Sequence, residues 1–105
     1  MQKQRKEKSI VEQLKQDINK LNGLCEKPKW FKTGWPDLLV FIPGGFFWMV
    51  ETKRPVGGKL SPRQIVVHRE LRELHFKVRV IHDNETKNLF LNEIRKCLED
   101  PKRSI

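Results

Sequence analysis

Apolar residues recur at helical spacing over residues 9–22, "SIVEQLKQDINKLN", where Val11, Leu14, Ile18 and Leu21 share one face. Ser9 stands ready to cap the start of that helix and Asn22-Gly23 to stop it. The stretch "LCEKPKWFKTGWP" is mixed, and predicts one short strand around residues 24–31, with Pro28 limiting how central it can be. Two strand-like runs follow, "DLLVFI" and "FFWMVETK", split by Pro43-Gly44-Gly45, which is a hairpin signal. After the loop "VGGKL", Ser61-Pro62 opens a second helix with Ser61 as N-cap, Pro62 at the first position and Gln64 at the third. Along it Gln64, Val67, His68, Leu71 and Leu74 share a face. "FKVRVIH" alternates with period two and predicts a strand. "ETKNLFLNEIRKCLED" closes the chain as an amphipathic helix with Leu89, Ile94 and Leu98 among its apolar positions. The expected order is α-β-β-β-α-β-α, an α/β fold without repeats or a low-complexity linker. A single domain over residues 1–105 is expected, with a basic arm at 1–8 and a tail at 101–105.

A chain of 105 residues buries roughly two thirds of its unfolded surface, enough for a core without staples. Its two cysteines, Cys25 and Cys97, make neither a disulfide framework nor a CxxC metal pair, so reduced thiols in an intracellular protein are expected. No apolar run reaches the length of a membrane span, and no hydrophobic signal core follows the basic start "MQKQRKEKS". Charge narrows the choice further. Twenty-two Lys and Arg against thirteen Asp and Glu give a formal charge of +9, an excess that points to a polyanion, most simply nucleic acid.

The acids at the hairpin then become informative. With the turn centred on Gly44, Phe41 pairs with Phe47, Leu39 with Met49, and Asp37 with Glu51. Directly opposed β carbons lie about 4.5–5.5 Å apart, so two carboxylates there repel one another and would weaken a plain sheet. Lys53 projects from the same face roughly 6–7 Å further along the strand. A divalent cation between the acids removes the conflict, and hard oxygen ligands suit Mg²⁺ or Mn²⁺. The plainer alternative makes Asp37 a turn residue after Pro36, and Glu51 and Lys53 a solvated strand end.

Pro36-Asp37, a hairpin, then Glu51-Thr52-Lys53 resembles the PD-(D/E)XK nuclease motif. The longer string "GWPDLLVFIPGG…VETKRPVGGKLSPRQIVVHRELRELHFKVRVI" is similar to the VRR-NUC branch, whose members occur alone in phages and bacteria and fused in eukaryotic repair nucleases. The resemblance implies a restriction-endonuclease-like core, a mixed β-sheet flanked by helices. It implies Asp37 and Glu51 as metal ligands, with the Thr52 backbone carbonyl as a third. Lys53 would orient or activate the attacking water, and Gln64 would support the site, although a capping box with Ser61 explains Gln64 as well. An acid from the first helix should join them, with Glu12 the first choice and Glu7 the alternative. His75 stands where the family usually has glycine, before the last strand, a position where φ > 0 is expected.

The implied reaction is metal-assisted hydrolysis of DNA phosphodiester bonds without a nucleotide cofactor. Arg54, Lys59 and Arg63 lie close in sequence to the site and are candidates to grip backbone phosphates. Stand-alone members resemble structure-selective nucleases acting on branched DNA, above all four-way (Holliday) junctions, as homodimers whose two sites meet opposed strands. Trp30, Phe31 and Trp35 are candidates for an interface or for base stacking, with burial in the core as the alternative. The competing readings are a flap, nicking or restriction-like enzyme of the same chemistry, a non-catalytic basic DNA-binding module, and a purely protein-binding role. A location inside a bacterium or phage-infected host fits all of these.

Overall fold

The computed structural model describes residues 9–29, 32–54 and 57–99. Its elements are α1 (Ile10–Lys20), β1 (Leu24–Glu26), β2 (Leu38–Ile42), β3 (Phe46–Thr52), α2 (Pro62–Glu73), β4 (Val78–Ile81) and α3 (Asn84–Glu99). This is the predicted order, with the short first strand present as three residues. The four strands form one sheet in the order β1-β2-β3-β4. The first two pairings are antiparallel and β3–β4 is parallel, so the sheet is mixed.

Each helix start is fixed by chemistry visible in the chain. Ser9 accepts the Glu12 backbone N–H while the Glu12 carboxylate accepts the Ser9 N–H, a closed capping box. Ser61 and Gln64 make the same exchange at α2, with Pro62 in its first turn. At α3 the Asp83 carboxylate accepts the Thr86 N–H at 2.8 Å. The stops are backbone turns with positive φ, 65° at Asn22 and 72° at His75.

Strand alternation sorts the core onto two faces. On one face, Leu14 and Ile18 of α1 and Phe90, Leu91 and Ile94 of α3 pack on Leu38, Val40, Ile42, Trp48, Val50 and Ile81. On the other, Val67 and Leu71 of α2 pack on Met49 and Val78, flanked by Trp35, Leu39 and Phe47. Trp48 is anchored at its polar end by a 3.2 Å bond from its Nε1 to Glu93, whose carboxylate also receives the Arg79 guanidinium. Two apolar positions differ from the sequence expectation. Leu89 is exposed, because the buried stripe of α3 runs through Lys87, Phe90, Leu91 and Ile94. Leu74 is exposed because it caps α2 just beyond its last packed turn. Lys87 enters that stripe by pairing with Asp17 of α1 at 2.9 Å, so its charge is met where it is buried.

β3 therefore has helices over both faces. Val50 points toward α1 and α3, and the next residue, Glu51, toward α2. A carboxylate at that position must find its partners on α2 or at the open end of the sheet.

Candidate active site

The hairpin has the predicted register, Leu39 opposite Met49 and Phe41 opposite Phe47. Leu38 pairs with Val50, so the next step outward brings Asp37 level with Glu51 at the end of the sheet. Lys53 prolongs the parallel pairing by donating its N–H to the Ile81 carbonyl at 2.9 Å. Gly34, three residues before Asp37, holds φ +91°, and a β carbon there would stand 2.7 Å from Arg63 Cγ and 3.0 Å from Val67 Cγ2. Only glycine lets this loop press onto the first turns of α2, which seats the segment leading to Asp37 beside that helix.

Each carboxylate is held by named donors. The Thr52 N–H donates to Asp37 Oδ1 at 3.2 Å and the Thr52 hydroxyl to Oδ2 at 3.0 Å. Glu51 is 4% exposed. Its Oε2 accepts a 3.0 Å bond from Gln64 Nε2 and lies 3.7 Å from the Lys53 ammonium. The Gln64 amide is divided between two partners, Ser61 and Glu51. Oε1 closes the capping box with Ser61, and Nε2 reaches across to Glu51.

Burial pushes the Glu51 carboxyl up to about 7, with the Asp37 charge adding to the rise and Lys53 and Gln64 opposing it. The like-charge conflict inferred from the register is thus expressed, and Lys53 does not cancel it. Glu51 Oε1 is buried and makes no hydrogen bond among the described residues. Against it, at 3.6 Å, lies Nε2 of His68, one helical turn beyond Gln64 and 1% exposed. Burial lowers the His68 pKa, helped by Arg72 and Lys53.

These observations fit a small hard cation. The donors are carboxylate oxygens with unused lone pairs, and the buried acid lacks a full counter-charge. Among the described residues no third His, Cys, Asp or Glu completes a cluster around them. That is compatible with Mg²⁺, which keeps several waters and is commonly bound through one or two carboxylates plus substrate phosphate. Glu12 spends one carboxylate oxygen on the Ser9 N–H, and Glu7 lies outside the described residues. Cys25, a buried thiol pushed up to about 11 chiefly by desolvation, offers no thiolate nucleophile at neutral pH.

Arg54, Lys59 and Arg63 are exposed. Trp35 is half-buried beside Met49 and Val67, while Trp30 and Phe31 lie outside the described residues, as do the basic arm and the tail. No described helix is long and apolar enough to cross a membrane. Sequence reasoning missed two features. One is His68, visible only as an apolar-face position four residues after Gln64. The other is the Thr52 side chain, whose hydroxyl holds Asp37.

A family model described as "VRR-NUC domain" matches residues 2–84, a span that contains Asp37, Glu51, Lys53, Gln64 and His68 and leaves nearly all of α3 beyond it. A solved structure described as "VRR_NUC domain" is 30% identical, with a TM-score of 0.71, over 78% of this chain and 90% of that chain. No curated protein matches the chain.

Proposed function

The chain belongs to the VRR-NUC family, and we propose that it is a metal-dependent, structure-selective DNA endonuclease that hydrolyses phosphodiester bonds. The observation that carries this reading is the buried Glu51 carboxylate, pushed up to about 7 beside Asp37, with the Lys53 ammonium 3.7 Å away. A structural ion pair would settle its charge. Here Lys53 and Gln64 offset only part of the rise that burial and Asp37 impose on Glu51.

Asp37, Glu51 and the Thr52 backbone carbonyl are the groups that would hold Mg²⁺ or Mn²⁺. The bound cation would lower the pKa of its water and neutralise charge at the phosphate. The chain's own part is positional. Thr52 holds both oxygens of Asp37, and Gln64 holds Oε2 of Glu51 from a helix whose start is itself locked by the Gln64–Ser61 exchange. Lys53, only partly exposed, presents a point charge where negative charge gathers in the transition state, and orients the attacking water. Arg54, Lys59 and Arg63 would bind backbone phosphates without reading sequence. The formal charge of +9 supports such contacts.

The preferred substrate is branched DNA, in particular a four-way junction cut by a homodimer. The family resemblance is the support for that choice, together with the absence from the sequence of a zinc finger, RNP motif or recognition helix for base readout. The test is cleavage of an immobile four-way junction and of its linear arm in Mg²⁺, Mn²⁺ and EDTA, with Lys53→Ala as control. Paired metal-dependent nicks near the branch, absent from the variant, are expected. Equal cutting of the linear arm would discard the junction preference and keep the chemistry. Binding without cleavage in either metal would move the protein to the non-catalytic class.

A further inference from the structure

The reaction leaves His68 without a role, yet its placement is costly. The ring is 1% exposed, and neither ring nitrogen has a hydrogen-bond partner among the described residues. A buried polar group left unpaired keeps its desolvation penalty without a compensating bond. Leucine or methionine would fill the same space beside Val67 and Leu71 at no such cost. The only other buried side-chain atom without a partner among the described residues is Glu51 Oε1, and it faces His68 Nε2 at 3.6 Å. Two unpaired atoms that face each other are a donor and an acceptor waiting to close. The gap exceeds a hydrogen bond by about half an ångström, within reach of a small rotation of either side chain.

The helix supplies the register. Gln64 and His68 are one turn apart on the face of α2 that meets β3. Gln64 Nε2 already holds Glu51 Oε2 at 3.0 Å. His68 stands on the remaining oxygen. We infer that His68 is a positioning residue for the Glu51 carboxylate: its neutral ring, protonated at Nε2, donates to Oε1 and, with Gln64, fixes the plane in which Glu51 presents its free lone pairs to a divalent cation. A carboxylate gripped at one oxygen can still swing about that bond, whereas one gripped at both cannot. Histidine suits the position because a neutral imidazole offers an N–H donor without cancelling the negative charge the cation needs. A lysine or arginine at residue 68 would compete with the metal.

The inference rests on the nuclease reading, and its test separates the two. Nitrogen-15 NMR of the wild-type ring reports the tautomer directly, without activity. Protonated Nε2 with unprotonated Nδ1 is expected, and protonation at Nδ1 alone overturns the proposal. Mn²⁺ binding by calorimetry and the Mn²⁺ midpoint for cleavage are then compared in wild type, His68→Leu and His68→Gln. The leucine variant keeps an apolar filler and removes the donor, and both midpoints should rise about 10–100-fold. Glutamine carries an amide N–H near the position of Nε2, and should bring both midpoints back to within a few-fold of wild type. An unchanged midpoint in a folded His68→Leu protein overturns the positioning role and leaves the nuclease reading standing. Should His68→Leu fail to fold, the tautomer and the glutamine variant still decide. Should wild type neither bind Mn²⁺ nor cleave, the nuclease reading falls, and the tautomer alone decides whether His68 holds Glu51.

Discussion

Replacing Glu51 with glutamine should make the metal-free protein more stable, by an amount that grows from about pH 5 and levels off above about pH 7. The carboxyl is raised from 4.5 to about 7 by burial and by Asp37. The native state therefore holds a proton that the unfolded state has lost over that window, and stability falls as pH rises through it. Glu51's favourable contribution is fully present below about 4.5 and gone once the pH has passed about 7. At 1.36 kcal/mol per pKa unit the loss amounts to about 3 kcal/mol, and at 4% exposure solvent screening takes little from it. Glutamine has the same shape, still accepts from Gln64, and carries no charge to strand. Urea melts in EDTA should give the two proteins nearly equal stability at pH 5, and Glu51→Gln ahead by about 2–3 kcal/mol at pH 8. In thermal melts that is on the order of 10 °C for a domain of this size. Millimolar Mg²⁺ at pH 8 should recover much of the deficit in wild type and none in the variant. A Glu51→Gln protein less stable than wild type at pH 8, or a gap that does not change with pH, would refute the claim that the site is an unsettled buried charge.

Other perturbations separate stability from chemistry. Ser61→Ala removes the acceptor of the Gln64 N–H and should cost about 1 kcal/mol by urea melt. Gln64→Ala should cost a similar amount and also slow cleavage about 10–100-fold by freeing Glu51. His75→Gly relieves the 72° φ after α2; it should raise stability by about 1 kcal/mol with an unchanged cleavage rate, measured on the same preparations. Alanine at Arg54, Lys59 or Arg63 should weaken DNA binding and flatten its logarithmic salt dependence by about one unit for each phosphate no longer held, read by fluorescence anisotropy.

Much of the fold is legible in the chain alone, for physical reasons that differ by element. Ser9, Ser61, Pro62 and Gln64 announce two helix starts because capping is local chemistry, written within four residues. The hairpin register follows from a short glycine turn and a strict two-residue alternation, and the register alone brings Asp37 level with Glu51. What depends on distant partners is harder to see. Leu89 and Leu74 fit an apolar face in one dimension and lie outside the packed stripe in three. Lys87 reads as a surface residue until Asp17, seventy positions away, is brought beside it. His68 cannot be recognised from the chain as part of the site, because its significance lies in an unpaired atom on another element. The hydroxyl of Thr52 is hidden for a related reason, since its partner Asp37 is fifteen residues earlier in the chain.

The central claim, that Asp37 and Glu51 form a cation site at the end of the sheet, is tested most directly by isothermal titration of Mn²⁺ into the full chain. Wild type, Asp37→Asn and Glu51→Gln would be compared at pH 7.5, without DNA. Saturable binding to wild type is expected, weakened at least tenfold by either substitution. Binding to wild type should also release a fraction of a proton, because Glu51 is still partly protonated at pH 7.5. Binding of equal strength to all three proteins, or none to wild type, would contradict the claim.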